Sequence, residues 1–498
     1  MIKQRSTIIN YALNHDDVIK HLNQTTLILK SASSDKPLLV ENKFTIPFNK
    51  KLQHINQLRI QSKFNEESNN LNESINEFFP FEFTSGINIY VEPRNKINND
   101  DNVEFFKELK EITHEFIGLE IGEEQWVNHV DSLYYYDLSP SILRLESPGG
   151  NKEYWYDNKT FDLIYKNNVK ENQITLRQIF TSNELDYNLK LTEYKEIGIF
   201  LKDSKVSTSK DDLVLSGLRV ILDGQSETTK DGEESDKNMY KTMFHFKPRH
   251  RYLTEGEYKT NLINNGLHPI FNTQISLPEL EEDEEKKSFI IDDDVINCNS
   301  FIYLNLNKSL IFDKYQNVPI NTTLLISSGF QDLELPEYKI DQWGRELLFK
   351  LDDDFKNQKD FNLTLHSRYQ LPQNNNTLQN SYTNIINSKP KYFIACKIKD
   401  SEMLSKSPFD TTRHSSIGNN YENYFAKDTV FYHPRELNAE KNLQVSIPHG
   451  ITTFNRINSI TTITLIIGIL IILTSVVKYL FKSFTSTTEH KTKIVKVE

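Results

Sequence analysis

Cysteine, alanine and clustered basic residues are what this sequence is short of. Two cysteines, Cys298 and Cys396, in 498 residues exclude a disulfide-dense scaffold, and their wide separation supplies no zinc-binding pattern. Only five Ala stand among plentiful Ile, Thr, Tyr and Phe, a balance that leans toward strands. The net charge is −11 and the Lys and Arg residues form no stripe, so nucleic acid is not an expected partner. No Gly-rich phosphate loop and no nucleophile-elbow serine motif occurs. The N-terminal stretch MIKQRSTIINYALNHDDVIKHLNQ has no apolar run, so no cleavable signal peptide is expected.

What is present is one long apolar run near the C-terminus. Ile457 to Val477, INSITTITLIIGILIILTSVV, carries no charged side chain and is flanked by Arg456 and Lys478. At about 1.5 Å per residue its helix is roughly 31 Å long, enough to cross a hydrocarbon core. A single transmembrane helix at 457–477 is therefore expected, with a tail at 478–498. Lys478, Lys482, Lys491 and Lys493 follow the span closely, whereas upstream there is Arg456 and then no Lys or Arg until Lys441. Positive charge on the tail side places the C-terminus in the cytosol and the N-terminal body in a lumen. Seven Asn-x-Ser/Thr acceptors precede the span and none follows it: Asn23, Asn72, Asn158, Asn307, Asn321, Asn362 and Asn375. The absent leader and short tail support an alternative, a cytosolic tail-anchored adaptor. Within the span, Thr461, Thr464, Gly468 and Ser475 fall on one side of a helix, a small-residue stripe suited to packing against another helix in lipid.

The fold class expected is mainly β: two strand-rich, sandwich-like domains followed by the transmembrane helix. The first domain spans 1–222, a polar linker spans 223–239 and contains DGQSETTKDGEESDK, and the second domain spans 240–450. Runs such as KFTIPF, LRIQSKF, GINIYVEP, EYWYD, FIYLNL, FNLTLHSRY and KYFIACKIK read as strands. One soluble helix is expected at 101–117, because Phe105, Leu109, Ile112 and Phe116 recur at helical spacing and Asp101 can cap it. In an oxidising lumen Cys298 and Cys396 form a bridge; otherwise they are two buried thiols. In FNLTLHSRY, Phe361, Leu363 and Leu365 share one face and leave Asn362 on the other.

Chemistry-bearing motifs are sparse. Two triplets, Asp292-Asp293-Asp294 and Asp352-Asp353-Asp354, match the carboxylate pattern that holds a divalent cation against a sugar nucleotide, giving a lumenal glycosyltransferase as an alternative. Without a phosphate loop they read as solvated strand ends. The thirteen His residues, His245, His250, His268, His366 and His449 among them, show no metal spacing. No catalytic residue, cofactor site or metal site is expected.

Four segments in order, LELPEY (Leu333 to Tyr338), HSRYQLP (His366 to Pro372), KYFIACKI and VSIPHGI (Val445 to Ile451) directly before one C-terminal span, give the second half a resemblance to the PIG-X family. It is most similar to the fungal members, which carry an extra N-terminal region, and the resemblance covers roughly Tyr240 to Leu480. That resemblance implies a non-catalytic subunit of GPI mannosyltransferase I in the endoplasmic reticulum membrane. The enzyme adds the first mannose to the glycosylphosphatidylinositol precursor, and a multi-span, PIG-M-like partner performs the chemistry. It also associates fungal relatives with folding or processing of other lumenal proteins.

Overall fold

The computed structural model describes residues 2–12, 14–23, 25–63, 86–94, 102–128, 132–138, 160–167, 172–188, 193–202, 215–223, 239–277, 294–316, 318–352, 360–373, 381–399, 417, 420–437, 442–451 and 454–494. The fold is mainly strands, with two α-helices among the described residues, Asn102–Ile117 and Phe454–Ile494. Of the expected elements, the EYWYD strand, the capping Asp101 and linker positions 224–238 lie outside the described residues. The chain divides into two compact units, Met1–Arg368 with Ile385–Val445, and Tyr369–Asn384 with Ser446–Glu498.

The first unit contains two large sheets. The N-terminal one has eleven strands, in the order Met239–Phe246, Leu215–Asp223, Glu193–Lys202, Ile2–Asn10, Leu38–Pro47, Gln173–Ser182, Thr160–Lys166, Ile55–Lys63, Gly86–Pro93, Leu133–Asp137 and Val127–Asn128. All its pairings are antiparallel except that of Ile2–Asn10 with Glu193–Lys202. Alternation assigns the faces. Phe44, Ile46, Leu58, Ile60, Leu163, Leu176 and Ile89 bury one face, and the helix stripe Phe105, Leu109, Ile112 and Phe116 packs into the same cluster. Further along, Ile8, Val40, Ile197 and Val220 cluster with Leu27, Leu29 and Tyr187 of a small sheet built from Glu184–Asn188, Thr26–Lys30 and Ile19–Leu22.

The opposite face of that sheet is polar, yet it too is buried. Arg59 holds Asp162 through two hydrogen bonds, Nε to Oδ1 at 2.9 Å and Nη2 to Oδ2 at 2.6 Å. Arg177 pairs with Glu41, and Glu196 receives Arg5 at 2.7 Å and Arg219 at 2.6 Å. Arg59, Asp162, Arg177, Glu41 and Glu196 are all buried. Opposite charges on neighbouring strands offset the desolvation that an isolated buried ion would suffer.

The second sheet has eight strands, in the order Thr322–Gly329, Gly344–Leu351, Val295–Asn307, Lys391–Ile398, Thr429–Glu436, His250–Ile263, Ile270–Ser276 and Asp360–Thr364. Lys391–Ile398, the KYFIACKI segment, is central and buried on both faces: Phe393 and Ala395 join Phe301, Leu348, Tyr421 and Phe431 in one cluster, while Tyr392, Ile394 and Cys396 are buried on the other side. Within the unit this sheet meets the first through aromatic rings. Trp343 sits edge-on to Tyr134 and Tyr136 at 5.2 and 5.5 Å, Tyr134 stacks on Tyr90 at 4.6 Å, and Asn305 donates to the Tyr134 hydroxyl at 3.2 Å. Gly344 follows Trp343 directly at φ +151°, where a Cβ would fall 1.9 Å from the Leu306 carbonyl oxygen. Only glycine lets the strand begin there.

Candidate functional site

The anchor is built from one helix. Phe454–Ile494 is continuous, and Arg456–Lys482 is long and apolar enough to cross a membrane, with its most apolar stretch unburied. Its 27 residues extend about 40 Å, more than the roughly 30 Å thickness of a hydrocarbon core. In the small-residue stripe, Thr461 Oγ1 donates to the Ile457 carbonyl at 2.8 Å and Thr464 Oγ1 to the Ile460 carbonyl at 3.0 Å. Those hydroxyls are thus satisfied within the helix. A Cβ added at Gly468 meets nothing within 4 Å. A second helix packed on this face would rely on smallness more than on hydrogen bonding.

A three-stranded sheet leads into that anchor, in the order Gln370–Gln373, Leu443–Ile451 and Tyr382–Asn387. The outer strands come from the HSRYQLP segment and the residues after it, and the central one contains VSIPHGI. Gln370 pairs with His449 and Gln373 with Ile451, in parallel, and the His449 amide donates to the Ser381 carbonyl at 2.9 Å. Two of the four family-like segments therefore share one sheet at the foot of the helix. In the first unit, Arg368 donates to the Leu335 carbonyl at 2.8 Å and also to the Asp332 carbonyl, and its guanidinium lies over the Phe330 ring at 5.1 Å. HSRYQLP is thus tied to LELPEY by a side chain whose partners are backbone atoms, a link that spacing alone does not reveal. Leu333, Leu335 and Tyr338 of LELPEY remain exposed.

Cys298 and Cys396 face each other across Val295–Asn307 and Lys391–Ile398 and are joined, S–S 2.08 Å, with Cα atoms 4.1 Å apart. Among the acceptor asparagines, Asn23 and Asn362 are exposed. Asn362 occupies the edge strand Asp360–Thr364, with Phe361 and Leu363 buried on its other face. Asn307 is half-buried, its Nδ2 donating to the Ile386 carbonyl at 3.3 Å, and Asn321 is half-buried at φ +56°. Asn72, Asn158 and Asn375 lie outside the described residues.

The described members of the Asp triplets have protein partners. Asp294 accepts from Arg251 at 2.7 and 3.1 Å; burial pushes its carboxyl up, but Arg251 and Lys247 together hold it below the usual carboxylate range. Asp352 accepts from Thr323 Oγ1 at 3.1 Å. Asp292, Asp293, Asp353 and Asp354 lie outside the described residues. Among the described residues no group of three or more His, Cys, Asp and Glu is arranged to hold a metal.

Two histidine pairs form that the sequence leaves apart. His268 and His366 meet edge-to-face at 4.7 Å. Deeper, His250 Nδ1 lies 3.0 Å from His433 Nε2, and His250 Nε2 bonds Glu422. All three are buried beside Phe431, on which His250 stacks. Burial, then the neighbouring His250 and Lys391, push the His433 pKa well below its ordinary value, so its neutral form is favoured. The described arrangement cross-links three segments of the fold.

Comparison with known proteins resolves what these features belong to. The PIG-X / PBN1 family model matches residues 264–477. The chain is 42% identical over 508 residues to Protein PBN1 of Candida albicans, covering 98% of this chain and 100% of that one. The chain belongs to the PIG-X / PBN1 family. A second member, Protein PBN1 of Debaryomyces hansenii, is 35% identical over 97% of this chain and 98% of its own. Protein PBN1 of Eremothecium gossypii is 27% identical over 56% of each. Family membership makes this chain a subunit in GPI-anchor biosynthesis. The family match takes in all four segments, the disulfide and the whole of the apolar run 457–477.

Proposed function

We propose that this chain is the non-catalytic stabilising subunit of GPI mannosyltransferase I, anchored in the endoplasmic reticulum membrane with its body in the lumen and its tail in the cytosol. The observation that carries the reading is the near-full-length match to PIG-X / PBN1 relatives in a chain with a single apolar helix among the described residues. A transferase that handles a lipid-linked donor and a lipid acceptor needs a cavity walled by several helices. One helix attached to a large strand-rich body is suited instead to covering a multi-span, PIG-M-like partner. At about a hundredfold excess over Kd, binding only the folded partner adds about 2.7 kcal/mol to its stability. That is enough to shift a marginal membrane enzyme from degraded to persistent.

The bridged cysteines and the exposed Asn23 and Asn362 support the lumenal orientation, because oxidation and glycan transfer both belong to that compartment. The partnered Asp294 and Asp352 favour the accessory role over the glycosyltransferase alternative.

The test is co-purification from membranes followed by a transfer assay with dolichol-phosphate mannose and the GPI precursor. A multi-span protein should accompany the chain, activity should reside in the complex, and the chain alone should transfer nothing. Transfer by the chain alone overturns the accessory role. An endoglycosidase mobility shift tests the orientation separately, and unshifted protein favours the cytosolic alternative.

A further inference from the structure

We propose that the three-stranded sheet preceding the span is a lipid-contact platform, lying in the headgroup interface of the bilayer that the helix crosses. Its first support is position. The central strand ends at Ile451 and the helix begins at Phe454, so the strand end is no farther than about 11 Å from the helix start, at up to 3.6 Å per residue. Neighbouring strands lie about 5 Å to either side. The sheet therefore cannot leave the neighbourhood of the membrane surface.

Its second support is composition. Tyr369 to Asn387 and Asn442 to Asn455 contain no Asp, Glu, Lys or Arg, in a chain whose residues are 26% charged. Each charge-free stretch begins abruptly, after Arg368 and after Lys441, and the second runs up to Arg456. Ordinary solvent-facing strands have no reason to exclude charge so completely. Strands partly immersed among lipid headgroups do, because a charged side chain drawn toward hydrocarbon loses hydration that nothing replaces.

The third support is the face presented. Ser446 Oγ donates to Asn384 Oδ1 at 2.7 Å, which puts those side chains on one face and, by alternation, Tyr382 and Pro448 with them. Gln370 and His449 pair on the other, buried face, so Tyr369 and Leu371 join Tyr382. These three are 73, 57 and 58% exposed, whereas Val445 and Ile447 point the opposite way and are buried. An exposed face of Tyr, Leu, Pro, Ser and Asn suits the water–lipid boundary, where tyrosine places its ring among acyl chains and its hydroxyl among headgroups.

The platform depends on the helix crossing a membrane and not on which compartment holds the body, so it stands or falls separately from the mannosyltransferase reading. The test uses the full chain in phosphatidylcholine vesicles. Because the native cysteines are bridged, Leu371→Cys and Tyr382→Cys each supply one free thiol for an environment-sensitive NBD label. Both positions are exposed, so neither substitution opens the core. The expected result is blue-shifted emission, lost with doxyl-labelled phosphatidylcholine and largely retained in iodide. Emission quenched by iodide and not by the doxyl lipid puts the face in water and overturns the proposal. Emission that neither quencher reaches means that protein covers the face, and it overturns the proposal equally.

Discussion

In the eleven-stranded sheet Glu41, Arg59, Asp162, Arg177 and Glu196 are buried across one face, each bonded to an opposite charge, whereas the three-stranded sheet before the span carries no Asp, Glu, Lys or Arg. A protein interior can supply a fixed counter-charge within 3 Å, as Arg59 does for Asp162, and so can accept an ion. A lipid surface supplies no such fixed partner. The same chain thus pairs charge where backbone geometry fixes the partner and excludes it where the neighbour is fluid.

The largest effect expected from breaking this contrast is in the first unit. Arg59→Ala leaves Asp162 buried without its partner and should cost about 3–5 kcal/mol, read as a large drop in melting temperature of the detergent-solubilised chain. The exposed pair Lys50–Glu115 is the control, and Lys50→Ala should cost less than about 1 kcal/mol. Equal losses would mean that the buried ladder is not special. Next, Cys298→Ser removes a cross-link that closes a 98-residue separation, with an expected loss of about 2–4 kcal/mol and greater sensitivity to proteolysis.

A smaller effect comes from pH. His433, facing His250 and Lys391 and linked through His250 to Glu422, has its pKa lowered by folding, so the unfolded chain binds the proton more readily. Its contribution is present above the unfolded pKa near 6.5 and is lost as pH falls below it, by up to about 1.4 kcal/mol per pH unit. Melting temperature between pH 7 and pH 5 should fall less steeply in His433→Gln than in the parent; an unchanged slope refutes the assignment. The smallest effect on the chain itself is Gly468→Leu, which meets open space and should leave the melting temperature unchanged while reducing recovery of a membrane partner. Undiminished recovery would remove the stripe from consideration.

Much of this organisation is legible in the residues. The span is visible because twenty-one uncharged positions have no other physical use, and the helix at 102–117 because its stripe repeats at 3.6 residues. Alternation also locates Cys396 in the core and Asn362 outside it. The same alternation misleads in LRIQSKF and ENKFTIPF, where a polar face ordinarily means a wet one. Arg59 and Asp162, or Arg177 and Glu41, become partners only once strands more than a hundred residues apart align, and no local pattern encodes that register. His250 and His433 are separated in the same way. Arg368 acts on carbonyl oxygens, which every residue has, so the sequence cannot single out its targets. The charge-free stretches that hold the strands of the three-stranded sheet are readable in the residues, and their meaning emerges when both are seen to form one sheet before the span.

The most direct measurement is a pulse-chase of the multi-span mannosyltransferase in cells with this chain removed, restored in full, or restored without residues 456–482. A several-fold shorter lifetime is expected for that enzyme without the chain, recovered by the full sequence and not by the form lacking the span. An enzyme that persists equally in all three would contradict a stabilising role.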